Sequence, residues 1–107
     1  MTMKMKSMEQ YEARARIAKA LGHPTRLMLL DMLENKETCV CELTDALDVD
    51  QSTISKHLSV LKEAGLVASR REGTMVFYRQ TACCLEGFFT CIETVLKNKL
   101  NAHRSAV

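Results

Sequence analysis

Apolar residues along the chain recur at intervals that break cleanly at polar or glycine-bearing joints. From Met8 to Leu21, Tyr11, Ala15, Ala18 and Leu21 fall at helical spacing, and Gly22 ends the run. His23-Pro24 opens a second helix, with Pro24 suited to the first helical position. Leu27, Met28, Leu29, Leu30, Met32 and Leu33 give that helix apolar residues on most sides, which marks it as the buried centre of the domain. After the polar loop Asn35-Lys36-Glu37, Thr38 is the expected N-cap of a third helix that runs to about Leu47, with Leu43, Ala46 and Leu47 inward.

A tight turn follows at Leu47-Asp48-Val49. Asp48 belongs to the few non-glycine types that tolerate a left-handed backbone, and Asp50 caps the next helix. From Gln51 to about Ala64, Ile54, Leu58 and Leu61 repeat along a core face. The opposite face carries Gln51, Ser52, Ser55, Lys56 and Ser59, all able to hydrogen-bond and none apolar. Two short helices with a tight joint, the second polar outside, form the layout of a helix-turn-helix DNA reader. Gly65 ends that helix. Leu66–Arg71 and Met75–Gln80 are β-rich runs around Glu72-Gly73, a hairpin signal. The arms carry Arg70, Arg71 and Arg79, so the hairpin reads as a basic wing for phosphates or a minor groove.

The last apolar stretch, Ala82–Asn101, places Leu85, Phe88, Phe89, Ile92, Val95, Leu96 and Leu100 on one broad helical face. A domain this small does not cover such a face alone. Pairing with the first helix and with a second copy of the chain would cover it, and a symmetric dimer suits palindromic DNA. The expected organisation is therefore a flexible tail over residues 1–7, one winged helix-turn-helix domain over 8–101, mainly α with a β-hairpin wing, and a flexible tail over 102–107.

Composition narrows the class further. The chain has 107 residues, one domain's worth, and 47% hydrophobic residues, more than a disordered chain carries. No apolar run approaches the roughly 20 residues that span a bilayer. The start, Met1-Thr2-Met3-Lys4-Met5-Lys6, has no apolar signal core, so a cytoplasmic protein with no membrane partner is expected. Five cysteines in such a chain imply reduced thiols, not a disulfide framework. The net charge of +2 says little, but its distribution is uneven. Seven acidic residues face the single Lys36 between Asp31 and Asp50, whereas Gln51–Ala82 holds Lys56, Lys62, Arg70, Arg71 and Arg79 against Glu63 and Glu72. That asymmetry steers one side of the surface toward polyanion.

The order of elements and several specific stretches resemble the ArsR/SmtB family of metalloregulatory repressors. The matching residues are Ala20-Leu21-Gly22-His23-Pro24-Thr25-Arg26-Leu27, then Cys39-Val40-Cys41-Glu42-Leu43. Gln51-Ser52-Thr53-Ile54-Ser55-Lys56-His57-Leu58, Leu61-Lys62-Glu63-Ala64-Gly65-Leu66-Val67, Gly73 and Phe77-Tyr78-Arg79 complete a match over roughly residues 10 to 82. The resemblance implies a homodimeric repressor, not an enzyme, that binds operator DNA and leaves it when inducer binds. It implies DNA contacts from Gln51, Ser52, Thr53, Ser55, Lys56, His57 and Lys62, with Arg70, Arg71 and Arg79 on the phosphate backbone.

The Cys39-Val40-Cys41 segment resembles the arsenic-sensing branch, and it also occurs in cadmium and lead sensors. Thiolates are soft ligands, and a helix N-terminus lowers a thiol's pKa, so the chemistry favours a thiophilic ion; the resemblance implies arsenite or antimonite as inducer, with no permanent cofactor. A zinc-type site on the terminal helix is disfavoured, because only Glu93 and His103 stand there. Residues i and i+2 point to different sides of a regular helix, so one ion takes both thiols only if the first turn unwinds. Thr44 stands where some arsenic sensors place a third cysteine, which leaves the third ligand to Cys83, Cys84, Cys91 or solvent. Cys84 and Cys91 are about 10 Å apart along a helix at 1.5 Å per residue. Vicinal Cys83-Cys84 is therefore the second-choice site, and Cys91 reads as core. A thiol-redox or persulfide sensor of the same fold is the competing reading.

Overall fold

The computed structural model describes residues 5–82 and 84–105, with side chains described as far as Ala102. Helix α1 (Met8–Leu21) begins on a reciprocal cap: Ser7 Oγ accepts from the Gln10 amide at 3.3 Å, and Gln10 Oε1 accepts from the Ser7 amide at 2.8 Å. Helix α2 (Pro24–Met32) starts on His23, whose Nδ1 accepts from the Thr25 amide at 3.1 Å. Helices α3 (Val40–Leu47) and α4 (Gln51–Glu63) are joined by Asp48-Val49-Asp50, with Asp48 left-handed at φ 51°. Strands β2 (Val67–Glu72) and β3 (Met75–Gln80) meet at a two-residue turn led by Gly73 at φ 62°. Helix α5 (Leu85–Ser105) closes the chain.

The fold is the expected winged helix-turn-helix, with a third strand that the sequence reading did not anticipate. Thr38–Cys39 form β1, which lies on the other side of β3 and makes a three-stranded antiparallel sheet in the order β1-β3-β2. Thr38 is therefore not the cap of α3. Cys39 is, in extended backbone at φ −78° and ψ 149°. A two-residue strand is too short to show alternation, so only its partner strand reveals it. The terminal helix also differs from expectation, beginning at Leu85 and continuing through residues 102–105, where a tail is expected.

Leu29 and Leu30 from α2, Leu33 at its C-cap, Leu43 from α3 and Ile54, Leu58 and Leu61 from α4 form the fully buried centre. The Ile54, Leu58, Leu61 face thus packs as its spacing dictates, and α4 turns its polar side outward. Ala46 is exposed, as are Tyr11, Ala15 and Ala18 on α1, so those parts of the expected inward faces find no cover within one chain. The same holds for α5, where Phe88, Ile92, Val95, Leu96 and Leu100 are all exposed, Val95 and Leu96 to 60% each. Among the described residues no helix is long and apolar enough to cross a membrane.

Candidate thiol site and nucleic-acid interface

The strand-to-helix bend at Cys39 decides the geometry of the thiol pair. Cys39 ends β1 and Cys41 stands in the first turn of α3, with their Cα atoms 5.4 Å apart. Because Cys39 is extended and not helical, its sulfur turns back over the helix start, where it accepts from the Cys41 amide at 3.2 Å. The structure joins the two sulfurs as a disulfide. Two expectations are corrected here. These cysteines are a bonded pair, not separate reduced thiols, and no helical turn has to unwind for their sulfurs to meet. The Cα separation lies within the range that such a bridge requires.

The two sulfurs differ in access. Cys39 is 1% exposed, whereas Cys41 is on the surface. Both line a cleft of about 200 Å³ that also receives Gln51 and Ser55 from α4 and Thr74, Met75, Val76 and Tyr78 from the wing. The thiol pair therefore borders both α4 and the wing. Thr44 is turned to its own helix, donating to the Val40 carbonyl at 2.8 Å. Among the described residues no group of three or more His, Cys, Asp or Glu side chains could hold a metal ion. Reduced to thiols, the pair would offer two sulfur donors to a soft ion, and among the described residues no third donor completes a cluster with them. Of the second-choice pair, Cys83 lies outside the described residues. Cys84 is exposed at the entrance of α5, where it lines a separate apolar cavity with Leu21, Leu66 and Phe88. Cys91 is exposed on α5, so it does not belong to the core of one chain.

On α4, Gln51, Ser52, Lys56 and Ser59 are exposed and Ser55 is half-buried. Asp50 fixes the start of this helix, accepting from the Thr53 hydroxyl at 2.7 Å, from the Thr53 amide at 3.3 Å and from the Ser52 hydroxyl. The Ser52 and then the Thr53 hydroxyl hold its carboxyl below the usual carboxylate range. Ser52 and Thr53 thus donate their hydroxyl protons to the cap, which leaves only their oxygen lone pairs to accept further hydrogen bonds. Lys62 donates to Ser69 Oγ at 2.8 Å, tying the end of α4 to β2 while its charge stays exposed.

His57 lies elsewhere than the expected base-reading surface. It is half-buried, its Nδ1 accepts from Arg26 Nε at 3.3 Å, and its ring centroid is 4.3 Å from that of His23. Arg26 also donates to the carbonyls of Lys19 and Ala20, both at 3.1 Å. The cluster pins α4 to the α1–α2 joint. Burial first, then the neighbouring His23 and Arg26, push the His57 pKa down.

The wing arginines divide into two kinds. Arg71 and Arg79 are exposed, and among the described residues neither forms an ion pair. Arg70 is occupied. Its Nη2 stands 2.6 Å from Glu37 Oε1 and its Nη1 2.9 Å from Glu72 Oε2, while its guanidinium lies 4.6 Å from the centre of the Phe77 ring. The hydrogen bond from Arg70 lowers the Glu37 pKa, and that of Arg70 is raised. Nothing in the local sequence signals this, because Glu37 and Arg70 are 33 positions apart.

Residues 23–69 match the family model for bacterial regulatory proteins of the arsR family. An uncharacterised helix-turn-helix transcriptional regulator of Methanocaldococcus jannaschii is 56% identical over 72 residues, which cover 66% of this chain and 81% of that protein. The arsenic resistance transcriptional regulator ArsR1 of Pseudomonas putida is 47% identical over 64 residues, 59% of this chain and 50% of that one. The chain thus spans only half of that curated relative. The solution structure of a homodimeric winged helix-turn-helix DNA-binding domain from Mycobacterium bovis, a possible ArsR-family regulator, superposes with a TM-score of 0.73 at 33% identity. It covers 94% of this chain and 96% of that one.

Proposed function

Because the chain belongs to the ArsR family of DNA-binding transcriptional regulators, we propose that it is a homodimeric repressor released from its operator when a thiophilic ion binds Cys39 and Cys41. The observation that carries this reading is the placement of both sulfurs on one cleft shared by α4 and the wing. The likeness to an arsenic resistance regulator favours trivalent arsenic or antimony over cadmium and lead. Reduced, the pair supplies two sulfur donors, and a three-coordinate ion takes its third ligand from solvent or from another cysteine.

Gln51 and Ser55 read base edges, Lys56 and Lys62 neutralise phosphates, and Arg71 and Arg79 add backbone contacts from the wing. Ser52 and Thr53 accept hydrogen bonds only, and His57 positions α4 without touching DNA. The second copy covers the apolar faces of α1 and α5, as the homodimeric neighbour suggests. Such a dimer sets two α4 helices at the spacing that a palindromic site requires.

The bonded state of the pair favours a second reading, thiol-redox sensing. Two thiols would lose two protons and two electrons to hydrogen peroxide, forming the S–S bond and two molecules of water. One experiment separates the two. An operator selected from random duplex DNA is titrated with protein that has been reduced and then freed of reductant under anaerobic conditions. Release by arsenite supports ion sensing, while release by peroxide alone supports the redox reading.

A further inference from the structure

Phe77 stands in register with Cys39 on one side and with Arg70 on the other. One row of backbone across the sheet therefore runs from the thiol segment through the middle strand to the basic arm of the wing. Backbone pairing alone holds β1 weakly, since only Thr38 and Cys39 take part. Side chains reinforce it. Glu37, two residues before Cys39, accepts from Arg70 Nε at 2.8 Å as well as facing Nη2, and Arg70 is in turn steadied by Glu72 and by the Phe77 ring. A guanidinium held at several points in this way has a fixed direction that a single surface ion pair lacks.

We infer that Glu37 and Arg70 are positioning residues that clamp the thiol-bearing strand to the wing, so that chemistry at Cys39 and Cys41 moves the wing as well as α4. This rests on the reading of that cysteine pair as the inducer site. Any change in the Cys39 backbone shifts β1, and the clamp makes β2 and β3 follow. Arg70 is then a transmitter and not a phosphate contact. Exposed ion pairs contribute little to stability. The clamp's loss should therefore show in coupling while the fold stays intact.

The two roles of Arg70 predict opposite results. If it were a phosphate ligand restrained by Glu37, Glu37→Gln would free it and tighten DNA binding. If it clamps the wing, Glu37→Gln and Arg70→Gln behave alike. The test compares wild type, each single variant and the double variant for affinity to the selected operator, across a salt series, with and without arsenite under reductant. The clamp predicts an unchanged salt slope in Arg70→Gln and a several-fold smaller arsenite effect in each single variant, with the double no worse than either. A slope reduced by about 0.9 in Arg70→Gln, or a full arsenite effect in Glu37→Gln, overturns it. Amide hydrogen exchange of Phe77–Arg79 provides a readout independent of inducer. Faster exchange in Glu37→Gln supports the clamp and unchanged exchange contradicts it, even where the wild type ignores arsenite and the inducer reading itself fails.

Discussion

Cys39 and Cys41 are joined sulfur to sulfur although one closes a strand and the other opens a helix. The bend between them makes the site, since two such residues inside a regular helix would point apart. It also places the pair where three elements meet. In the proposed reading, a ligand there would strain the β1–α3 junction and the cleft that Gln51, Ser55 and Met75 share with it.

The proposed DNA surface separates affinity from sequence choice. Lys56→Ala should weaken binding about equally on all duplexes and lower the slope of log affinity against log salt by about 0.9. Gln51→Ala should leave that slope unchanged and lose about 1–3 kcal/mol of discrimination at one base pair per half-site. Anisotropy titrations on operator variants at several salt concentrations measure both quantities.

Acid should loosen the joint between α4 and the α1–α2 corner. His57 Nδ1 accepts a hydrogen bond from Arg26 Nε, so the folded state favours the neutral ring. Its folded pKa is below the ordinary imidazole value of about 6.5, and the unfolded chain binds more protons below that pH. The stability it contributes is complete above that value and is lost as pH falls through the lower folded pKa. Urea unfolding at pH 7.5, 6.5 and 5.5 should show this decline, and His57→Gln should flatten it.

The exposed face of α5 predicts assembly. Val95→Glu with Leu96→Glu should convert the dimer to monomer in sedimentation velocity while the circular dichroism spectrum persists. Affinity for a palindromic operator should fall by far more than affinity for a single half-site.

Much of this was legible along the chain, and the exceptions share a cause. The periodicity of Ile54, Leu58 and Leu61, the left-handed Asp48 and the Asp50 cap are local features, and all appear as read. Strand β1, the Arg70–Glu37 pair and the Arg26–His57 bond depend on partners 31 to 40 positions away, which no local pattern encodes. Residue type alone marks Cys39 and Cys41 as candidates, but not their geometry, because one residue's difference in the helix start decides where the Cys39 sulfur points. The apolar residues of α1 and α5 share faces by spacing, yet one chain leaves most of them exposed, and it is the proposed dimer that would cover them.

The most direct test of the central claim is arsenite-driven release of the reduced protein from labelled operator, read by anisotropy. It compares wild type with Cys39→Ser/Cys41→Ser and with Cys83→Ser/Cys84→Ser. Serine keeps a capping oxygen at position 39, so the first variant should retain DNA affinity. The account predicts that wild type and the Cys83/Cys84 variant leave DNA at similar arsenite concentrations, while the Cys39/Cys41 variant stays bound at concentrations at least tenfold higher. Full release of the Cys39/Cys41 variant at the wild-type concentration would contradict it.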